Sequence, residues 1–281
     1  MKIMIYFQGC TARDKLKNIS RNTQMILDIA GVDYKILQEE NCCGSILLRT
    51  GFQEDAHELM INTLKKLKGE KIVVSCAGCY RTLKKDYSEV FGEELDVIHI
   101  SQLLEELIIE GKIRTKKESL KVTYHDPCHL GRHCGEYEAP RHVIGEKAEL
   151  VEMDKTGEHA SCCGAGGGVK SAYPELSSEI SNKRIDEALK TGADVMVTCC
   201  PFCVLNLESD EIKVMDLTEF MLLGDGLFSE EKGTLETKEE GTLNSKEKGT
   251  LNSKENCTLE SGTPVSEEKF VSDKHQGVSN E

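Results

Sequence analysis

The sequence predicts an α/β fold: two pseudo-symmetric Rossmann-like βαβ halves, each with a Cys-Cys-Gly motif, and a disordered C-terminal tail. Three observations carry this expectation. Short apolar runs rich in β-branched residues alternate with helical stretches, the pattern of βαβ units around a parallel sheet. Five cysteines recur in the same order: Cys10, Cys42-Cys43 and Cys76-x-x-Cys79, then Cys128, Cys162-Cys163 and Cys200-x-x-Cys203. From Ser229 onward apolar residues thin out and an octapeptide repeats. The expected divisions are 1–118, 119–224 and 225–281.

In the first half, KIMIYF, VDYKIL, KIVVS and DVIHI read as buried strands. Helices are expected between them at roughly Lys15–Ala30, Gln53–Leu67, Tyr80–Val90 and Ser101–Ile109. The second half repeats the strands as KVTYHD, ELVEM, DVMVTC and KVMDL. The flanks correspond as well: KIVVSCAGCYRTL matches DVMVTCCPFCVLNL, and DVIHISQLLEELI matches KVMDLTEFMLLG. The cysteine gaps are 31 and 32 residues in the first half and 33 and 36 in the second. Each cysteine follows a strand or sits in a Cys-Cys-Gly loop. Such positions fall at the carboxyl edge of a parallel sheet, where ligands bind. The five of a half are therefore expected to converge.

The tail units GTLETKEE, GTLNSKEK, GTLNSKEN and CTLESGTP begin at Gly233, Gly241, Gly249 and Cys257. Too little apolar surface is present to offset the entropy of ordering. Cys257 stands in a glycine slot and reads as a drifted repeat residue.

Composition narrows the function. A net charge of −14 argues against general nucleic-acid binding, which needs a basic face. No run approaches the roughly 20 apolar residues of a membrane span. MKIMIYFQGC reads as a strand rather than a signal peptide, so a cytoplasmic location is expected. Thirteen cysteines in a reducing compartment point to metal or redox chemistry rather than disulfides.

Five converging thiolates exceed the four ligands of zinc and the four of a conventional iron–sulfur cluster. The fifth is surplus unless a cluster is larger or opened out. Gly44 and Gly164 let backbone approach closely and leave amides free to hydrogen-bond sulfide. GAGGG is not a dinucleotide loop, because Val169 takes the place of the last glycine of G-x-G-x-x-G.

The phrases TYHDPCHLGRH, CCGAGGGV and CPFC are most specific. Through them the chain resembles the CCG, or cysteine-rich, domain family. Within that family the likeness is to the catalytic iron–sulfur subunit of heterodisulfide reductase and to the matching C-terminal part of the fused subunit of the membrane-bound enzyme. The resemblance covers about residues 1–224. It implies two noncubane [4Fe–4S] clusters. Cys10, Cys42, Cys43, Cys76 and Cys79 would bind one, and Cys128, Cys162, Cys163, Cys200 and Cys203 the other. Zinc in one motif is the alternative. The octapeptide tail and a rather short second half depart from the family pattern.

The resemblance further implies an anaerobic oxidoreductase of methanogenesis that reduces a CoB–CoM-type disulfide between the two clusters. Two other readings stand beside it. One is an electron-transfer subunit of a flavin-dependent lactate, glycolate or glycerol-3-phosphate dehydrogenase complex. The other is a zinc-stabilised scaffold. No ferredoxin-type cysteine run and no flavin or nicotinamide fingerprint occurs in the chain. A small ferredoxin-like iron–sulfur subunit, fed by a flavin subunit or membrane cytochrome, is the expected electron donor.

The remaining candidates receive smaller roles. Cys199 corresponds to Ser75 and reads as a filler; Cys134 has no counterpart and reads as unligated. His125, His129 and His133 crowd Cys128 and are expected to tune or pack the cluster from outside its ligands. Arg132, Arg141 and Lys170 are candidates for receiving an anionic substrate. Asp126-Pro127 is expected to set the turn after the strand, and His159 has no assigned role.

Overall fold

The computed structural model describes residues 3–224 and 226–229, so the octapeptide repeats and Cys257 lie outside the described residues. In the first half, β1 (Met4–Phe7), β2 (Tyr34–Lys35), β3 (Lys71–Val74) and β4 (Asp96–His99) form a parallel sheet in the order β2-β1-β3-β4. Every residue of β1, and Ile72, Val73 and Val74 of β3, is buried. Helices cover both faces of a parallel sheet, so its central strands read as unbroken apolar runs.

After β5 (Arg114–Thr115), the second half repeats the design with β6 (Lys121–His125), β7 (Glu149–Leu150), β8 (Val195–Thr198) and β9 (Lys213–Asp216), ordered β7-β6-β8-β9. The register repeats as well: Phe7 pairs with Val74 and Val74 with His99, as His125 pairs with Thr198 and Thr198 with Asp216. The strand β10 (Leu227–Phe228) pairs antiparallel with β5. These two residues fall within the stretch that the sequence assigned to the tail. They fasten the end of the second half to the segment joining the halves.

The first-half helices are α1 (Cys10–Asp14), α2 (Lys17–Ile29), α3 (Ser45–Thr50), α4 (Gln53–Leu67), α5 (Ala77–Arg81), α6 (Tyr87–Phe91) and α7 (Ile100–Ile109). A π-helical turn, Thr82–Asp86, links α5 to α6. The second half carries α8 (Gly131–Cys134), α9 (Glu138–Lys147), α10 (Val169–Ala172), α11 (Pro174–Leu189), α12 (Pro201–Asn206) and α13 (Leu217–Met221). The helix expected from Tyr80 starts three residues earlier, inside Cys76-x-x-Cys79, with Cys76 as its N-cap. Cys200 takes the same place before α12.

The halves join through equivalent surfaces. Helix α7 packs on α9, and α2 packs on α13, over one continuous apolar core. Lys147, at the end of α9, is fully buried there. Its Nζ donates to the carbonyls of Met221 and Leu223, satisfying the end of α13. In both sheets the chain reverses its direction of strand addition between the two central strands. The carboxyl ends of those strands form a crevice that suits a ligand. Cys10 and Cys76 follow β1 and β3, and Cys128 and Cys200 follow β6 and β8.

Candidate metal centre

Backbone geometry brings the first set together. Gly9 has φ +78°, and a Cβ there would lie 2.9 Å from Cys79 Sγ. Only glycine fits both demands. The buried Glu40 carboxylate accepts the amides of Gln8 and Gly9 at 2.8 Å each, which draws the Cys42-Cys43 loop onto the loop of Cys10. Cys10 Sγ then lies 3.7 Å from Cys42 Sγ. Thr63 Oγ1 and Tyr87 Oη donate to the carbonyls of Cys42 and Cys43 at 3.1 and 3.3 Å.

The glycine of each Cys-Cys-Gly is left-handed and tightly enclosed. Gly44 has φ +91°, and its missing Cβ would meet Met60 Cγ at 2.7 Å. Gly164 has φ +89° and the Ser177 carbonyl stands 2.7 Å from its missing Cβ. Gly164 N–H donates to Cys162 Sγ at 3.3 Å. Asn206 Nδ2 anchors the Cys163 carbonyl at 2.6 Å.

All ten cysteines line one cavity of about 350 Å³. Their side chains neighbour one another in a palindrome. Cys10 adjoins Cys42, then come Cys43, Cys79 and Cys76; Cys76 meets Cys200, and Cys203, Cys163, Cys162 and Cys128 follow. Each position on one side is answered by its repeat counterpart on the other, with Cys76–Cys200 at the centre. The central members are buried, whereas Cys10, Cys42 and Cys128 are partly exposed and Cys162 is exposed.

Crowding splits the thiols. Hydrogen bonds from neighbouring thiols hold Cys43, Cys162 and Cys200 below the ordinary thiol range. The reciprocal bonds, helped by burial, push Cys10, Cys76, Cys79, Cys128, Cys163 and Cys203 above it. Cys10 draws Cys42 down, but Cys43 and burial raise it, to about 11. So many adjacent sulfurs cannot all ionise without a compensating cation. A metal supplies that charge and deprotonates a thiol on binding. The donor set, soft and entirely sulfur, suits iron–sulfur clusters or zinc.

A ring nitrogen of His129 and one of His133 lie within 4.8 Å of Cys128 Sγ. His129 lines the cavity, and burial lowers its pKa to about 4. Its ring meets that of His133 edge-on at 5.2 Å. Cys199 is buried behind the wall against Tyr124, as its counterpart Ser75 is hydrogen-bonded to Tyr6 Oη at 3.0 Å. Cys134 is absent from the cavity wall. Asp126 accepts from Arg141 Nη1 and Nη2, at 2.8 and 2.9 Å, and from the Gly157 amide at 2.9 Å. Arg141 is thereby committed to the loop, and Arg132 to the Ala160 carbonyl at 2.6 Å. Of the three basic residues expected to meet an anion, only Lys170 reaches the cavity. His159 ends a short 3-10 turn, away from the wall.

The sequence reading missed Arg49. It lines the cavity from α3, ion-paired to the buried Asp86, with its Nε unpartnered among the described residues. The one signal in the sequence was its place on the first short helix after Cys-Cys-Gly.

Two parallel sheets, each presenting five thiols at its switch point to a shared cavity, define a duplicated cysteine-rich α/β protein. The chain belongs to the CCG cysteine-rich domain family, whose model matches residues 4–84 and 122–208. It is 41% identical over 249 residues to a subunit of the dihydromethanophenazine:CoB--CoM heterodisulfide reductase of Methanosarcina mazei, covering 84% of this chain and 60% of the relative. It is 35% identical to a subunit of the fumarate reductase (CoM/CoB) of Methanothermobacter marburgensis, covering 77% and 45%. With EtfAB:quinone oxidoreductase of Syntrophomonas wolfei it shares 34% identity, over 76% and 32%. The chain spans 53–60% of the length of the heterodisulfide reductase relatives it matches. Among the described residues no helix is long and apolar enough to cross a membrane.

Proposed function

We propose that the chain is an iron–sulfur redox subunit of the heterodisulfide reductase type, reducing a small disulfide in the cavity between its halves. Cys10, Cys42, Cys43, Cys76 and Cys79 hold one noncubane [4Fe–4S] cluster; Cys128, Cys162, Cys163, Cys200 and Cys203 hold the other. The palindromic row of ten thiols lining one cavity is the observation that carries this reading. When bound, the clusters supply electrons and the Lewis acidity that stabilises thiolate charge as it forms. Cleaving a disulfide consumes two electrons and two protons and yields two thiols.

The chain's own residues then have definite tasks. The cavity would hold the disulfide against both sets of thiols, which removes much of the entropic cost of bringing it to the groups that reduce it. His129 stays neutral at pH 7 and offers a ring N–H to a substrate sulfur. Arg49 and Lys170 receive the acidic ends of a substrate such as the CoB–CoM disulfide named in the relatives. Electrons come from a small ferredoxin-like iron–sulfur partner, itself fed by a flavin protein or membrane cytochrome.

Anaerobically prepared protein is expected to contain about eight iron and matching sulfide, two four-iron clusters. Stoichiometric zinc with negligible iron would sink the reading and promote a zinc-stabilised scaffold. A second expectation concerns Arg49. Arg49→Gln removes one charge-assisted hydrogen bond of roughly 1.5–3 kcal/mol, so KM for an anionic disulfide should rise about 10- to 150-fold with kcat little changed. An unchanged KM would place the anion site elsewhere.

Similarity to EtfAB:quinone oxidoreductase favours a second reading, an electron relay serving a flavin enzyme. Protein with both clusters that accepts electrons from its partner yet reduces no disulfide would select it.

A further inference from the structure

The two thiol sets match in order but differ in what stands behind them. His125 ends β6; its counterpart at the end of β1 is Phe7, and both are buried. His125 Nδ1 accepts a hydrogen bond from Arg184 Nε at 3.0 Å. Arginine has only donors and does not deprotonate in proteins. The bond therefore fixes Nδ1 as the acceptor, and a neutral ring then carries its proton on Nε2. An Nδ1 that accepts from Arg184 carries no proton, so the ring is neutral. One of its ring nitrogens, Cys163 Sγ and Cys203 Sγ all lie within 4.8 Å of one another. With Nδ1 occupied by Arg184, what the ring has left to offer is Nε2–H, a donor and not a metal ligand.

Arg184 is itself held in place. It is fully buried on α11, and its Nη1 donates to the Lys155 carbonyl at 2.8 Å and to Glu187 at 2.6 Å. Glu187 balances the guanidinium charge, so the oriented imidazole N–H matters more than any net positive charge. The first set has no donor at Phe7. It has the buried Glu40 carboxylate on the amide beside Cys10, offset by Arg13 at 3.7 Å. The repeat counterpart of Glu40 is Ala160. The second half has buried carboxylates of its own, Asp126 and Asp216, where the first has Gln8 and His99, and Arg141 offsets Asp126 at 2.8 Å, so the bias between the sets rests on His125.

We propose that His125, oriented by Arg184 as a positioning residue, makes the second cluster the more easily reduced of the two. The inference rests on the reading that each set holds an iron–sulfur cluster. A cluster that takes one electron from an external donor gains one negative charge. A hydrogen bond to its ligand sulfur stabilises that charge, and a nearby carboxylate opposes it. Electrons entering from a partner settle first on the cluster of Cys128, Cys162, Cys163, Cys200 and Cys203.

The test is an anaerobic dithionite titration of the iron-loaded full chain, followed by visible absorption and electron paramagnetic resonance. Two one-electron waves are expected, and Cys163→Ser should remove the higher. His125→Phe should lower the equilibrium constant of the higher wave about tenfold, a fall of about 59 mV, and leave the lower wave in place. Arg184→Leu, which removes charge and donor, should shift the same wave in the same direction, and Arg184→Lys, which keeps both, should restore it. A single merged wave, loss of the lower wave in Cys163→Ser, or an unmoved higher wave in His125→Phe with both clusters present would overturn the inference. So would loss of the second cluster's iron in both His125→Phe and Arg184→Leu, because His125 would then hold the metal or the fold. Absence of iron from the unaltered protein would instead defeat the underlying reading.

Discussion

Cys43→Ala and Cys163→Ala, made separately, are each expected to halve the iron content, from about eight to about four per chain, and to abolish disulfide reduction. The two residues are repeat counterparts at the middle of their sets. Cys43 adjoins Cys42 and Cys79, and Cys163 adjoins Cys162 and Cys203. Losing either opens its set at the centre, while the other set keeps all five sulfurs. Both side chains are buried, and alanine removes only the sulfur, so the sheets should persist. If the two clusters act on one bond, activity with an artificial reductant should fall by more than about 100-fold, the upper end of what losing a mere outer-shell partner costs. The surviving cluster should keep its spectroscopic signal. Near-normal activity after the loss of one cluster would reduce that cluster to a relay and favour the electron-transfer reading.

Much of this site was legible because its chemistry repeats. Two copies of five cysteines in similar flanks identify ligand candidates without any coordinates. The central strands were legible for a different reason: burial on both faces turned Met4–Phe7 and Ile72–Val74 into plain apolar runs. The edge between the halves was not legible. Nothing in the spacing says that Cys76 meets Cys200, because that contact depends on α7 packing on α9 and α2 on α13. The β5–β10 pair escaped notice because two-residue strands carry no periodicity. The roles of Phe7 and His125 were also hidden. They occupy one register position in two sheets, and only the buried Arg184 gives the histidine a task. Even the turn before the first cysteine differs: Gly9 is left-handed, whereas Pro127, at the same place in the second half, cannot be.

Gly9→Ala and Gly164→Ala should each unseat one cluster, and Gly145→Ala should unseat neither. At Gly164 an alanine would meet two obstacles at once. The left-handed φ of +89° costs a residue with Cβ on the order of 1–3 kcal/mol. The new Cβ would also stand 2.7 Å from the Ser177 carbonyl, which belongs to the backbone of α11 and cannot rotate aside as a side chain can. Relief requires moving the Cys162-Cys163 loop, and with it two ligands of the second set. At Gly9 the clash is with a ligand itself, Cys79 Sγ at 2.9 Å, so displacement falls on the first set. Gly145 lies inside α9 with nothing within 4 Å of its missing Cβ. Alanine there should stabilise the protein by about 0.5–1 kcal/mol, because a helix-interior glycine loses more backbone entropy on folding. Thermal denaturation and iron analysis of the three variants check this. The expected pattern is a lower Tm with about four iron for Gly9→Ala and Gly164→Ala, and an equal or higher Tm with about eight iron for Gly145→Ala. Full iron in Gly164→Ala would mean that the Cys-Cys-Gly loop tolerates a side chain at its bend, and that its glycine serves something other than the approach of Cys162 and Cys163 to the cavity.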